Sequence, residues 1–276
     1  MPAPILTHAI KGQAMTPFIT HSKTQSPITR WQNWLPLIVF VIFIAVWEIA
    51  VRVGDYPAFI LPTPERVARK FLDVIADGSL ARHMAVTLLE ISGGLGLGFL
   101  IATALGYVLA KSLPIERALS PYLVASQAVP IVAIAPLLVI WFGGGIASKV
   151  LVCALIVFFP ILINTIAGLR GVSPDLHDLM RTLEATRWQT FLKLEAPAAL
   201  PVLLAGLKIG ATLSVIGAVV GEFAGAKAGL GVLISIADGQ YDTARMFVGV
   251  FALIALALAL YGAVSLIERV ALRWNR

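Results

Sequence analysis

Along most of the chain the apolar residues neither alternate nor keep a helical period; they fill long runs separated by short polar stretches. Six such runs, at about residues 35–53, 87–110, 119–142, 150–169, 198–224 and 247–267, are each long enough to cross a hydrocarbon core of about 30 Å as a helix. Lipid cannot satisfy open backbone groups, so a helix is the form such a run takes. The pattern predicts an all-α polytopic membrane protein with six transmembrane helices and both ends on one side. Residues 1–34 are polar and mixed and lack the apolar centre of a cleavable signal, so they read as a flexible cytoplasmic tail ahead of a membrane domain over 35–276.

Two segments keep a 3.6-residue period instead. In Leu61-Pro62-Thr63-Pro64-Glu65-Arg66, Thr63 suits an N-cap, Pro64 the first helical position and Glu65 the positive end of the helix. Val67, Phe71, Val74 and Ile75 then share a face, with Lys70, Asp73 and Asp77 elsewhere. This is a short external amphipathic helix, lying on the membrane surface or packed on the spans. The second segment is the loop 171–197 between the fourth and fifth spans. Ser173 and Pro174 open a helix whose Leu176, Leu179, Met180 and Leu183 form one face beside Asp175, Asp178 and Arg181. Thr186-Arg187-Trp188-Gln189 has capping-box spacing and opens a second helix, carrying Trp188, Phe191 and Leu192 and ending near Pro197. The first helix presents its apolar face either to a socket on another protein or to the underside of its own bundle. The residues alone leave both open.

Composition narrows the class. The chain is 59% hydrophobic and 13% charged, against about 25% charged in soluble domains, and its mean hydropathy is +0.90. Soluble enzymes, nucleic-acid readers and disulfide-stapled secreted domains are excluded on this ground. The net charge of +6 reads as membrane orientation. With a cytoplasmic N-terminus, the inner segments hold Lys11, Lys23, Arg30, Lys111, Arg117, Arg170, Arg181, Arg187, Lys193, Arg269, Arg273 and Arg276, and the outer ones hold Arg52, Arg66, Arg69, Lys70, Arg82, Lys149, Lys227 and Arg245. A lone Cys153 inside an apolar run leaves no disulfide or CxxC site, and the scattered His8, His21, His83 and His177 point to no metal.

Small and polar residues inside the spans add detail. Gly94, Gly98, Ala102, Gly106 and Ala110 recur every four residues in the second span, as do Gly206, Gly210, Ser214 and Ala218 in the fifth, beside a row of Gly217, Gly221 and Gly225. Such smooth stripes permit close helix contact, and equally sliding or the lining of a passage. Pro121, Pro130 and Pro136 interrupt the third span, so Gln127-Ala128-Val129-Pro130 is expected to bend or unwind and to wall a pathway. Glu48, Glu90, Asn164, Lys208 and Glu222 lie in or beside spans, where polar groups are costly. For the three glutamates, position near span ends reads as interfacial; for Lys208, as snorkelling to the inner interface. Gln127, Pro130, Asn164, Lys208, Ser214 and Glu222 form the candidate pathway set.

The loop spacing resembles the cytoplasmic loop of inner-membrane permeases of ATP-binding-cassette importers, in which Glu-Ala-Ala, three residues, Gly, nine residues and Ile-x-Leu-Pro recur. Here Asp178-Leu179-Met180, Glu184 and Leu194-Glu195-Ala196-Pro197 fill those places. Phe59-Ile60-Leu61-Pro62-Thr63-Pro64, Ala135-Pro136-Leu137-Leu138, Trp141-Phe142-Gly143, Phe158-Phe159-Pro160-Ile161-Leu162-Ile163-Asn164-Thr165, Pro197-Ala198-Ala199-Leu200-Pro201 and Gly229-Leu230-Gly231 are similar, in order, to the nitrate, sulfonate and taurine branch. Gly221-Glu222-Phe223-Ala224-Gly225-Ala226, with Asp242-Thr243 and Met246-Phe247, resembles relatives that import pyrimidine or flavin vitamin precursors. The departures are Asp for Glu, Leu-Met for Ala-Ala, and Glu184 for the glycine expected at the turn between the loop helices.

The resemblance implies a permease subunit of an ATP-driven importer with no catalytic residues and no cofactor of its own. Two permease chains would form the pathway, separate ATPase subunits would dock on the coupling loop, and an external solute-binding protein would deliver the solute. The ATPase-coupling set is then Leu176, Asp178, Leu179, Met180, Arg181, Leu183, Glu184, Arg187 and Trp188. Consistent with hydrolysis elsewhere, no Gly-Lys pair occurs, so the phosphate-cradling Gly-x-x-x-x-Gly-Lys-Ser/Thr loop is absent. Gly94-Leu95-Gly96-Leu97-Gly98 lies inside an apolar run and reads as helix packing. The alternative from another class is an ATPase-independent six-span secondary transporter or channel, with Lys208 and Glu222 as coupling charges.

Overall fold

The computed structural model describes residues 34–273; expectations resting on the tail and on Arg276 lie outside the described residues. The described helices are α1 (Leu35–Gly54), α2 (Pro64–Ala76), α3 (Ser79–Lys111), α4 (Leu113–Gln127), α5 (Ile131–Phe142), α6 (Ile146–Arg170), α7 (Pro174–Thr182), α8 (Arg187–Thr190), α9 (Ala196–Phe223), α10 (Leu230–Gly239) and α11 (Thr243–Ala271). The chain divides into two units, residues 1–46 and 47–276, and α1 contributes to both. Five stretches are long and apolar enough to cross a membrane: α1, α3, α6, the continuous Arg187–Phe223 and α11; the pair α4–α5, bent by 93°, makes a sixth.

The bend falls at residues 128–130, where the prolines were expected to act. Pro130 has no N–H to continue the ladder, Ala128 caps α4 and Pro130 precedes α5. Pro197 behaves differently from the expected helix stop. Phe191–Glu195 forms a π turn in which Ala196 N donates to Phe191 O five residues back, and the chain runs straight on into α9. Moving the bond back by one residue relieves the clash that a proline ring makes with the carbonyl four residues before it.

In the larger unit α6 is the central helix, with α3 on one side and α9 on the other. Both small-residue stripes face it. A side chain at Gly94 would run into Cys153, one at Gly98 into Val157, and one at Gly106 would come within 2.8 Å of Thr165. From α9, Gly206 lies against Asn164, and Gly217 so close to Cys153 that a Cβ would sit 2.9 Å from its Cα. Ala102, Leu109, Val157, Ile161 and Leu162 fill the α3–α6 seam. The stripes are thus helix contacts, and beside them a cavity of about 520 Å³ opens between the same three helices, lined by Leu100, Tyr107, Thr165, Ala199 and Leu203.

At the ends, Thr63 caps α2 by accepting from Arg66 N at 3.3 Å. Asp77 then links α2 to α3, and the hydrogen bonds from Ser79 hold its carboxyl below the usual carboxylate range. α2 packs on α11 and α3 through Val67 and Val74, leaving Leu72 and Ile75 exposed. Lys70 pairs with Asp242 at 2.9 Å, and Trp47 Nε1 donates to Pro62 O at 3.1 Å while its ring stacks on Phe247.

Candidate functional site

The loop helix α7 stands between the end of α6 and the π turn that leads into α9. Pro174 occupies its first turn with Asp175, and Arg181 its last, so the charges oppose the helix dipole favourably. It carries no buried residue. Leu179 is 52% and Leu183 65% exposed, and Leu176 is exposed as well; Met180 is half-buried. Asp178 and Arg181 pair at 3.1 Å on the exposed surface. The apolar face therefore does not pack under its own bundle, one of the two readings that the sequence left open.

The turn after α7 keeps the geometry for which a glycine was expected. Ala185 N donates to Met180 O at 3.0 Å and Glu184 N to Arg181 O at 2.9 Å, the paired bonds that end a helix on a left-handed residue. That residue is Glu184, with φ 51°. A side chain there costs about 1 kcal/mol relative to glycine. Glu184→Gly is accordingly expected to raise the stability of the chain by about that amount, seen as a higher thermal unfolding midpoint in detergent; an unchanged or lower midpoint would contradict it.

Beyond the turn, Thr186 Oγ1 accepts from Gln189 N at 3.2 Å and Gln189 Oε1 accepts from Thr186 N at 2.8 Å, a complete capping box. It starts α8 so that Arg187 and Trp188 are exposed. Trp188 stacks on Phe191 with centroids 5.6 Å apart, and Phe191 meets Tyr107 of α3 edge-on at 5.3 Å. The nine coupling candidates thus lie on one continuous segment from α7 to α8, mostly exposed. Three residues outside that set tie it to the bundle: Lys111 of α3 donates to Glu195, and His177 of α7 brings Nε2 to 3.3 Å from the same Glu195 oxygen.

The six pathway candidates are not gathered in one place, and no hydrogen bond joins any two of them among the described residues. Gln127 and Pro130 are exposed at the α4–α5 bend. Asn164 donates to Pro160 O of its own helix at 2.7 Å, and Ser214, fully buried, to Ala211 O at 2.7 Å. Lys208 pairs with Glu268, near the C-terminal end of α11, beneath the Tyr261 ring.

Glu90 and Glu222 depart furthest from the interfacial position expected of them. Each is 2% exposed, inside the bundle end opposite α7. Glu90 Oε2 is buried with no hydrogen-bond partner among the described residues. Glu222 accepts from Thr87 Oγ1 at 2.6 Å and from the N–H of Gly231, while Leu230 N donates to Thr87 Oγ1 at 2.8 Å. Fully buried Lys149 donates to Gly144 O at 2.8 Å and Gly225 O at 3.0 Å. These groups fasten the N-terminus of α10, and the glycine turns beside it, to α3, α6 and α9. Such a helix start has N–H groups needing acceptors, which the carboxylate supplies. Glu48, by contrast, is half-buried and pairs with Arg52 at 2.6 Å.

Comparison with known proteins follows the same lines. The family described as "Binding-protein-dependent transport system inner membrane component" matches residues 94–272, over half of the chain. The riboflavin transport system permease protein RibX of Chloroflexus aurantiacus is 45% identical over 238 residues, covering 86% of this chain and 89% of the relative. The formylaminopyrimidine transport permease protein ThiX of Halalkalibacterium halodurans is 36% identical, covering 89% and 98%. The putative aliphatic sulfonates transport permease protein SsuC of Bacillus subtilis is 32% identical, covering 91% of each. Among solved structures, the inward-facing MetNI methionine ABC transporter shares the fold, with a TM-score of 0.62 at 21% identity over 71% of this chain and 97% of that one.

Proposed function

Because this chain belongs to the binding-protein-dependent transport system inner membrane components, we propose that it is one of two identical permease chains that together form the pathway of an ATP-driven importer. It sits in the bacterial inner membrane with both termini in the cytoplasm. Separate ATP-binding subunits dock on α7 and α8 at the inner face, and an external solute-binding protein docks on the opposite one. The observation that carries this reading is an apolar helix face held out into water by a rigid turn: Leu179 and Leu183 have no partner in their own bundle to bury against. The exposed apolar sides of α1 and α5, with Phe40 and Ile140, meet lipid.

The mechanism follows from what α7 is attached to. When ATP draws the two ATPase subunits together, the pair of α7 helices moves with them, and α6 and α9 follow because the chain enters and leaves α7 through them. The spans then rock from inward-open to outward-open about the solute. Gln127 and Pro130, exposed at the bend, line the pathway against the second chain. Lys208 and Glu222 do not act as coupling charges of an ATPase-independent transporter. One is ion-paired to Glu268 and the other bonded to Thr87 and Gly231, and the family consists of importer permeases.

The solute is a flavin or pyrimidine vitamin precursor. Support comes from the 45% and 36% identity with riboflavin and formylaminopyrimidine permeases, against 30% with the taurine permease TauC of Escherichia coli. The test is to reconstitute the chain with its ATPase and measure ATP hydrolysis against binding proteins loaded with riboflavin, an aminopyrimidine, taurine or an alkanesulfonate. Stimulation by one of the first two is expected. Stimulation by a sulfonate alone would overturn the solute class, and failure of any ATPase to bind would overturn the importer architecture.

A further inference from the structure

The loop candidates explain how an ATPase is grasped, but not how its motion is shared between spans that are distant in the sequence. Glu195 occupies the junction. It closes the π turn at the root of α9 and is only 3% exposed. One carboxylate oxygen takes Lys111, the last residue of α3, and lies 3.3 Å from Nε2 of His177 on α7. The other is buried without a hydrogen-bond partner among the described residues. His177 is itself fixed, with Nδ1 3.3 Å from Ser173 O at the start of its helix.

We propose that Glu195 is a positioning residue of the transport cycle: through His177 and Lys111 it joins the loop helix α7 to α9 and α3 at one point, so that all three move together. This rests on the reading that α7 receives the ATPase. A buried carboxylate is a poor choice if the need is only stability, because apolar packing of the same volume serves as well or better. What an ion pair supplies is a defined geometry, lost when one partner is displaced. The π turn points the same way, since such turns concentrate at functional positions in helices. The aromatic contact of Phe191 with Tyr107 holds α3 beside the turn, while the charge contact sets how α7 and α3 are oriented on it.

The experiment uses the full chain reconstituted with its ATPase and loaded binding protein, reading ATP hydrolysis and solute uptake in the same vesicles. Glu195→Gln, of equal size, is expected to bind the ATPase and hydrolyse ATP within about twofold of the parent while solute moved per ATP falls roughly tenfold. Lys111→Glu alone should behave alike, and combining Lys111→Glu with Glu195→Lys should recover much of the ratio. His177→Ala removes only the link to α7 from a half-buried position, so it remains informative if the buried variants fail to fold. The ratio should fall in it too. A folded His177→Ala or Glu195→Gln chain with an unchanged ratio overturns the proposal, as does a drop in uptake matched by an equal drop in ATPase binding. If the parent chain itself binds no ATPase, the importer architecture falls, and this inference with it.

Discussion

Changing Leu179 and Leu183 together to Asp is expected to abolish uptake while the chain still inserts at its normal level. The two side chains are 52% and 65% exposed at the end of a helix that carries no buried residue, so their replacement removes nothing from the fold. In a socket on the ATPase each would bury an apolar surface contributing about 1.5–3 kcal/mol. Losing both costs about 3–6 kcal/mol, or roughly two to four decades of affinity for that subunit. Burying two carboxylates in the same socket weakens docking further. Membrane content by immunoblot, ATPase retention on purification and uptake in vesicles check the three parts separately. Normal uptake by a stably inserted double variant would rule out α7 as the docking element.

The second large effect lies at the opposite end of the bundle. Lys149→Met is expected to destabilise the chain by about 3–6 kcal/mol, because two charge-assisted hydrogen bonds of about 1.5–3 kcal/mol each are lost. The carbonyls of Gly144 and Gly225, which accept them at 2.8 and 3.0 Å, are left without that donor. Gly221 packs directly against the lysine stem, where an added Cβ would come within 3.1 Å of Lys149 Cγ, so the remaining apolar chain cannot rotate elsewhere. Thermal unfolding in detergent should show a clearly lowered midpoint, whereas Lys227→Met, at an exposed position two residues beyond Gly225, should leave it unchanged. Equal midpoints for the two variants would mean that the buried ammonium contributes nothing net.

The parts of this architecture that could be read from the sequence are those fixed by neighbours a few residues away. The capping box at Thr186 and Gln189, the cap at Thr63 and the break at Pro130 depend on local donors and acceptors, so residue type and spacing were sufficient. The four-residue repeat of glycines announced a tight contact, though not that both stripes would face α6. Pairings between distant residues were hidden. Glu222 meets Thr87 across 135 residues, Lys111 meets Glu195 across 84 and Lys208 meets Glu268 across 60. Position along a span indicates depth in the membrane but says nothing of the direction a side chain faces, which is why Glu90 and Glu222 read as interfacial. α10 escaped notice because its 10 residues are too few for a span and its anchor, a carboxylate on another helix, leaves no local signature. The residues on which the coupling proposal rests were missed for the same reason: Glu195 was visible only as part of a motif, Lys111 and His177 only as a charge and a scattered histidine.

The close seating of α3 and α9 on α6 has a mechanical consequence. Where a glycine leaves less room than a single carbon against a neighbouring backbone, as at Gly217, the helices can neither slide nor part without opening a void that nothing fills. Along those glycine contacts the three are stiff, while at the α7 end their alignment falls to the charge contact of Glu195 with Lys111 and His177. Compliance is left to residues 128–130, an exposed elbow between two short helices meeting at 93°, where turning disturbs little packing. Relative motion of α4 and α5 is taken up there, and its reach is set by the length of the two arms that the elbow joins.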